Sequence, residues 1–340
     1  SKNFNMNVLS LFDGMSCGMI ALDRLGIKVD KYYASEIDKY AMQVSAANYP
    51  EIIQVGDVCD LKSEDFKDID LILAGSPCQG FSFSGKGLAF DDPRSALFFE
   101  FIRLLKEIKP KYFLLENVKM KKEYLQIISE QVSTCYPDIA FGIEPNFINS
   151  SLVSAQSRQR YYWTNIPNIK QPQDRGIVLK DILEDYPNNY TIMSDKFSKR
   201  QEGRKCLVDM NKQKAASLSA MEYVKNGRQG DYLACDADGK PRIVCAAYRG
   251  RYNEDGSISQ RLELRKDNKT NTITTVQKDN VLTKDQAYWR KLTPIECERL
   301  QTVPDNYTNH VSNTQRYKML GNGWTIEVIA HILQNMEVNQ

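Results

Sequence analysis

The stretch Asp70-Leu71-Ile72-Leu73-Ala74-Gly75-Ser76-Pro77-Cys78-Gln79-Gly80-Phe81-Ser82 decides how this chain is read. Its apolar run has the length of a buried strand, and Gly75-Ser76-Pro77 closes it. A cysteine placed there stands at the edge of a sheet. Working outward, Asn7–Phe12 reads as another buried strand, followed by the tight turn Asp13-Gly14-Met15-Ser16. Ser16 is expected to cap a helix through Ala21 and Leu25 that stops at Gly26. Lys31–Ile37 reads as a strand, and Asp38 as the cap of a helix ending before Pro50. Arg94–Ile108 carries Leu97, Phe98, Phe101, Leu104, Leu105 and Ile108 at helical spacing. Tyr112–Leu115 reads as a strand ended by Glu116-Asn117.

Strands alternating with helices predict a parallel sheet covered on both faces. Ligands of such sheets bind beyond the carboxyl ends of the strands. The loops Phe12–Gly14, Glu36–Asp38, Ser76–Gln79 and Glu116–Val118 all fall at such ends. After Thr164 the alternation stops. Residues 165–290 are rich in Lys, Arg, Asn, Asp and Gly with short β-type runs such as Asn271–Val276, which predicts a second, irregular domain. Helical signals return at Pro294–Leu300 and Glu327–Leu333, the last packing back on the first domain.

The apolar fraction of 42% suits a globular protein with a substantial core. No stretch approaches the ~20 apolar residues of a membrane span, and Ser1–Asn7 holds no signal-peptide run. An intracellular, soluble, monomeric protein is expected. The eight cysteines form no C-x-x-C pair and there are two histidines, which speaks against a metal site and for reduced thiols. A net charge of +2 neither requires nor forbids nucleic acid.

Three features concern chemistry: Cys78 at one strand end, Glu116 at the next, and Gln156-Ser157-Arg158-Gln159-Arg160, whose two arginines share one face of a strand. Singly they read as an incidental cysteine in a turn, a helix N-cap and a solvated strand face. Together they bring a nucleophile, a carboxylate and guanidinium groups to one edge.

Pro77-Cys78-Gln79, Glu116-Asn117-Val118 and Gln156-x-Arg158-x-Arg160 resemble, in order and spacing, the core motifs of DNA cytosine-5 methyltransferases of bacterial and phage type. Leu11-Phe12-Asp13-Gly14 resembles the family's first motif. Leu292-Thr293-Pro294 through Glu298-Arg299-Leu300-Gln301 resembles its penultimate one, and Leu320-Gly321-Asn322-Gly323-Trp324 its last, with Gly-Trp where bacterial members carry Ser-Val. Gly26–Tyr32 is also similar to the catalytic domain of mammalian de novo DNA methyltransferases. The resemblance covers roughly residues 6–165 and 288–335. It implies a Rossmann-like, S-adenosylmethionine-dependent methyltransferase fold, α/β with a mixed, mostly parallel sheet. A smaller, irregular, β-rich target-recognition domain accompanies it. The catalytic and cofactor domain would comprise residues 1–165 and 315–340, and the recognition domain 166–314. The enzyme would act on double-stranded DNA in the cytoplasm of a bacterial or phage-infected cell, as restriction-modification methyltransferases do.

The chemistry fits the residue types. Carbon 5 of cytosine is a poor nucleophile, and a thiolate added at carbon 6 turns the ring into a reactive enamine. Cys78 would be that nucleophile. Glu116 would hydrogen-bond N3, Arg160 would hold O2 and steady Glu116, and Arg158 would bind near Cys78 or the target phosphate. The base must be flipped out of the duplex, at a cost of roughly a few kcal/mol. Phe81–Ser95 has the composition of a loop that moves on DNA binding and closes over the base.

The resemblance and the strand ends imply a cofactor site. Phe12 would pack on the adenine or methionine part, and the backbone of Asp13 and Gly14 would approach the methionine. Glu36 would take the ribose diol, Ile37 would lie on the adenine, and Asp57 would accept from its amino group. Val58, Pro77 and Leu97 would line the site, with Asn322 and Trp324 closing the methionine end. Gln79, Ser82, Ser84, Lys86 and Arg94 are candidates for DNA contact, and Arg249 and Arg251 for guanine edges. Three rival readings are weaker. A tRNA methyltransferase would carry Cys-Phe-Thr, a non-catalytic relative would lack Cys78 or the arginines, and an NAD oxidoreductase would carry G-x-G-x-x-G.

Overall fold

The computed structural model describes residues 5–75, 93–201, 206–223, 230–243, 246–264 and 288–337; at 93–94, 198–199, 246–252 and 259–264 it describes the backbone alone. The first part contains β1 (Met6–Leu11), α1 (Cys17–Arg24), β2 (Val29–Ser35), α2 (Lys39–Asn48), β3 (Ile53–Gln54), β4 (Leu71–Gly75) and α3 (Pro93–Ile108). It continues with β5 (Tyr112–Val118), α4 (Lys122–Cys135), β6 (Asn146–Asn149) and β7 (Gln159–Thr164). The strands form one sheet in the order β3-β2-β1-β4-β5-β7-β6. Strands β3 to β5 pair in parallel, and β7 runs antiparallel to both β5 and β6. The order reverses between β1 and β4, so the crevice for a ligand opens at their carboxyl ends.

Both faces of the sheet are buried, as parallel strands require. Along β4, Leu71 and Leu73 belong to one apolar cluster with α1 and the carboxyl-terminal helix, while Ile72 and Ala74 belong to the other with α3 and α4. The helix α1 ends as its glycine predicts. Gly26 has φ 69° and donates to Asp23 O while Ile27 donates to Leu22 O, the paired bonds of a left-handed C-terminus. Asp38 caps α2, accepting from Tyr40 N at 2.9 Å.

The second part contains α5 (Leu179–Ile182), α6 (Asp195–Arg200), β8 (Leu207–Val208), β9 (Tyr232–Cys235), β10 (Ala246–Tyr252), β11 (Ile258–Leu264) and β12 (Tyr288–Lys291). The sheet β12-β9-β8 and the hairpin β10-β11 make up its described strands; Asn271–Val276 lies outside the described residues. Then come α7 (Pro294–Leu300), α8 (Asn313–Asn322) and α9 (Ile326–Leu333). Helix α9 packs on α1, where Arg24 and Glu327 form an ion pair at 2.8 Å. Between β12 and α7 sits a fully buried pair: Arg290 holds both oxygens of Glu296, at 2.6 and 3.0 Å. Among the described residues no helix is long and apolar enough to cross a membrane, and Cys17, Cys59, Cys135, Cys206, Cys235 and Cys297 are free thiols.

Two local expectations change. Ser16 occupies the N-cap position of α1 but gives no side-chain cap, because its φ of 68° turns its hydroxyl to Asp13 and Ser45, at 2.5 and 2.7 Å. The strand expected to stop at Leu115 runs on to Val118, because β7 pairs antiparallel with it through Glu116↔Tyr162 and Val118↔Arg160. Glu116 therefore stands in a strand, not in a loop or at a helix cap.

Candidate active site

The loop after β1 bends through three residues of positive φ, Phe12 at 53°, Gly14 at 60° and Ser16 at 68°. Side chains other than glycine rarely adopt this region, at a cost of order 1–3 kcal/mol each. The surroundings hold the loop in place. Tyr32 donates to Asp13 Oδ1 at 2.6 Å, Asp13 N donates to Ser35 O at 3.1 Å, and Gly14 N donates to Glu36 Oε1 at 2.7 Å. Burial pushes the Asp13 carboxyl up to about 6, against the hydrogen bonds of Ser10, Ser16 and Tyr32.

Glu36, just past β2, also accepts from Ile37 N and Asp38 N, each at 2.8 Å. A carboxylate has about four acceptor positions, so one remains for a hydroxyl. The neighbouring Ile37 is 76% exposed, an apolar surface on the lip of a cavity. Asp57 accepts from Cys59 N at 2.9 Å, with Val58 buried beside it. Phe12, Asp13, Gly14, Glu36, Ile37, Asp57, Val58, Leu97, Asn322 and Trp324 all line one cavity of about 680 Å³, together with Glu116, Arg158 and Arg160. The indole of Trp324 lies against Gly75, where a Cβ would meet its Nε1 at 2.8 Å; only a residue without a side chain fits there.

Register explains how Glu116 and Arg160 meet. Glu116 lies opposite Tyr162 and Arg160 opposite Val118, so the two are diagonal neighbours on one face of the sheet. Arg160 Nε is 3.9 Å from Glu116 Oε1. Burial raises the Glu116 carboxyl above its ordinary value, opposed by Arg160 and then Arg158. Such a group keeps its proton further towards neutrality than an exposed glutamate.

Arg158 precedes β7 and is buried. It donates to three main-chain oxygens, Leu218 at 2.7 Å and Gly321 and Gly323 at 3.0 Å each. These bonds tie the segment around Leu218 to the last turn of α8 and the residue after it. Burial, then the Arg160 charge, lowers its pKa to about 10.

Pro77, Cys78, Gln79, Ser82, Ser84 and Lys86 lie outside the described residues. Gly75, three residues before Cys78, is paired with Glu116 across β4 and β5. Arg94 falls in the first turn of α3, and Arg249 and Arg251 in β10; for all three the description stops at the backbone.

Cavity residues absent from the sequence reading include Ser10, Cys17, Ser35, Lys318 and Ala220. Lys318 stands one helical turn before Asn322, a spacing that points to it. Nothing in the sequence points to Ala220. It reaches the cavity because the 215–223 segment crosses Gly321, where a Cβ would fall 1.9 Å from Ser219 O. Gly321→Ala should therefore lift this segment away from the cavity and lower stability by about 1–3 kcal/mol through overpacking, as chemical denaturation would measure.

The sequence profile of the family described as C-5 cytosine-specific DNA methylase matches residues 6–338. The chain is 31% identical over 355 residues to the type II methyltransferase M1.ScrFI of Lactococcus lactis subsp. cremoris, covering 98% of this chain and 79% of that protein. It is 28% identical over 348 residues to the type II methyltransferase M.HhaI of Haemophilus parahaemolyticus, covering 97% and 94%. The fold is that of the S. pombe Dnmt2 methyltransferase, with a TM-score of 0.69 at 18% identity over 97% of each chain. The profile spans the strand ends that build the cavity, and the chain belongs to the family of C-5 cytosine-specific DNA methylases.

Proposed function

We propose that this DNA cytosine-5 methyltransferase acts on a cytosine flipped out of duplex DNA, through a bond between Cys78 and carbon 6, with S-adenosylmethionine as methyl donor. The observation that carries the reading is the Glu116–Arg160 pair in the wall of the cavity that also holds Glu36 and Ile37. The lining suits the cofactor. Glu36 keeps an acceptor position for a ribose hydroxyl, Ile37 offers a face to a purine, and the carboxylates of Asp13, Glu36, Asp38 and Asp57 favour a cationic sulfonium. When bound, S-adenosylmethionine supplies the methyl group.

The protein's own groups do the rest. The Cys78 thiolate adds to carbon 6, and the electron pair of the ring double bond shifts towards N3. Glu116 donates a hydrogen bond or its proton to N3 and so stabilises the charge that develops there. Arg160 holds the O2 atom and the Glu116 carboxyl. Arg158 is a positioning residue, fixing the turn that carries Asn322 and Trp324. Residues 166–314 would supply target recognition, with Arg249 and Arg251 among the readers and Gln79, Ser82, Ser84, Lys86 and Arg94 near the target strand.

Duplex DNA containing 5-fluorocytosine tests the reading. After methyl addition the fluorine cannot leave as a proton does, so a denaturation-resistant adduct at Cys78 should appear by mass spectrometry. No adduct, together with full turnover by Cys78→Ser, would remove residue 78 from the reaction.

A further inference from the structure

Beyond Val118 the chain runs into Lys119-Met120-Lys121-Lys122, and all three lysines are exposed. Among the described residues none of them pairs with a carboxylate. The side chain of Lys121 meets a ring, its Nζ lying 6.0 Å from the centre of Tyr124. Lys121 is the N-cap of α4 without a capping side-chain bond, and Lys122 opens the helix. The start of a helix carries partial positive charge, so cations there are disfavoured, and Ser, Thr, Asp or Asn are the usual caps. Three like charges gathered at such a place, with the Tyr124 ring and Glu123 of the first turn as neighbours and with no ion pair among the described residues, break a local rule in the way that functional surfaces do.

Their location names the partner. Lys119 is three residues beyond Glu116, so the two Cα atoms are within about 11 Å. A duplex that delivers a base to Glu116 brings its flanking phosphates into this neighbourhood, and duplex DNA carries about one charge per 1.7 Å of axis. We infer that Lys119, Lys121 and Lys122 form a contact surface for the phosphate backbone beside the extruded cytosine; this rests on the reading of duplex DNA as substrate. Backbone contacts of this kind set register and affinity and carry no sequence information.

The test compares the full chain with a variant carrying Lys119→Gln, Lys121→Gln and Lys122→Gln. Binding of a short mixed-sequence duplex is followed against salt, and labelled methyl transfer to unmethylated plasmid DNA is measured. Each phosphate contact contributes about 0.9 to the slope of log K against log salt, so the slope should flatten by about 2.7. The KM for DNA should rise on the order of tenfold, with kcat at saturating DNA and cofactor affinity unchanged. The corresponding triple Lys→Arg variant should restore slope and KM. An unchanged slope and KM in the glutamine variant, beside a wild type that methylates the plasmid, would overturn the surface and leave the reaction standing. A wild type that binds the duplex yet transfers no methyl to plasmid DNA would overturn the underlying reading, and the surface with it.

Discussion

Glu116→Gln should lower kcat about 100- to 10,000-fold, the range that positioned proton donors and acceptors contribute. Glutamine keeps the shape of the side chain but cannot give up a proton to N3. Binding of S-adenosylhomocysteine should change little, because the cofactor contacts proposed for Glu36, Ile37 and Asp57 are untouched. Single-turnover rates at saturating DNA provide the measurement, and a loss smaller than about tenfold would move the proton elsewhere. The pH profile gives an independent check. Burial raises the Glu116 carboxyl and the Arg160 charge lowers it. Removing that charge with Arg160→Met should raise the Glu116 pKa further, so the alkaline fall in rate should move to higher pH even as the maximum rate drops. A shift to lower pH would show that the two groups are not coupled as their geometry indicates.

The second large effect concerns stability. Arg290→Met should cost about 3–5 kcal/mol, because it leaves the Glu296 carboxylate buried without its counter-charge. Both side chains are 0% exposed. Glu296 also accepts from Thr293 N at 2.8 Å and from Glu184 N at 3.0 Å, so its charge cannot easily turn towards water. Chemical denaturation of the single variants and of Arg290→Met combined with Glu296→Gln would show the coupling. The double variant should lose less than the two singles added together. Additive losses would mean that the pair contributes packing rather than charge.

The sequence made one half of this molecule readable. Strands such as Asn7–Phe12 and Asp70–Ala74 are apolar runs between turn residues, and Asp38 and Gly26 mark helix ends by mechanisms local to the chain. The resemblance to the family's motifs is what pairs Glu116 with Arg160 and sets Asp57 and Asn322 in one lining with Glu36, which alone of these stands at the end of a strand whose length is visible in the sequence. Other features depend on distant partners. The extension of β5 through Val118 exists because β7 runs alongside it, and no residue in 112–118 announces that neighbour. Helix α8 gives no apolar periodicity to read although Ser312 caps it, accepting from Gln315 N at 3.4 Å, because its sequence is largely polar. The contacts of Arg158 with Leu218, Gly321 and Gly323 join positions far apart in the chain, a relation that spacing does not encode.

The path of residues 215–223 has a consequence for building chimaeras. Ala220 lines the same cavity as Glu36 and Glu116, yet Ala216 N and Tyr223 OH are fastened to Asp231 at 2.8 and 2.7 Å, beside β9. A graft that exchanged everything between Thr164 and β12 for the equivalent of a relative would replace a wall of this cavity along with the proposed recognition domain. Transplants that keep this stretch native and swap only the chain beyond Asp231 should leave that wall intact and, on the proposed reading, retain the host's grip on its donor.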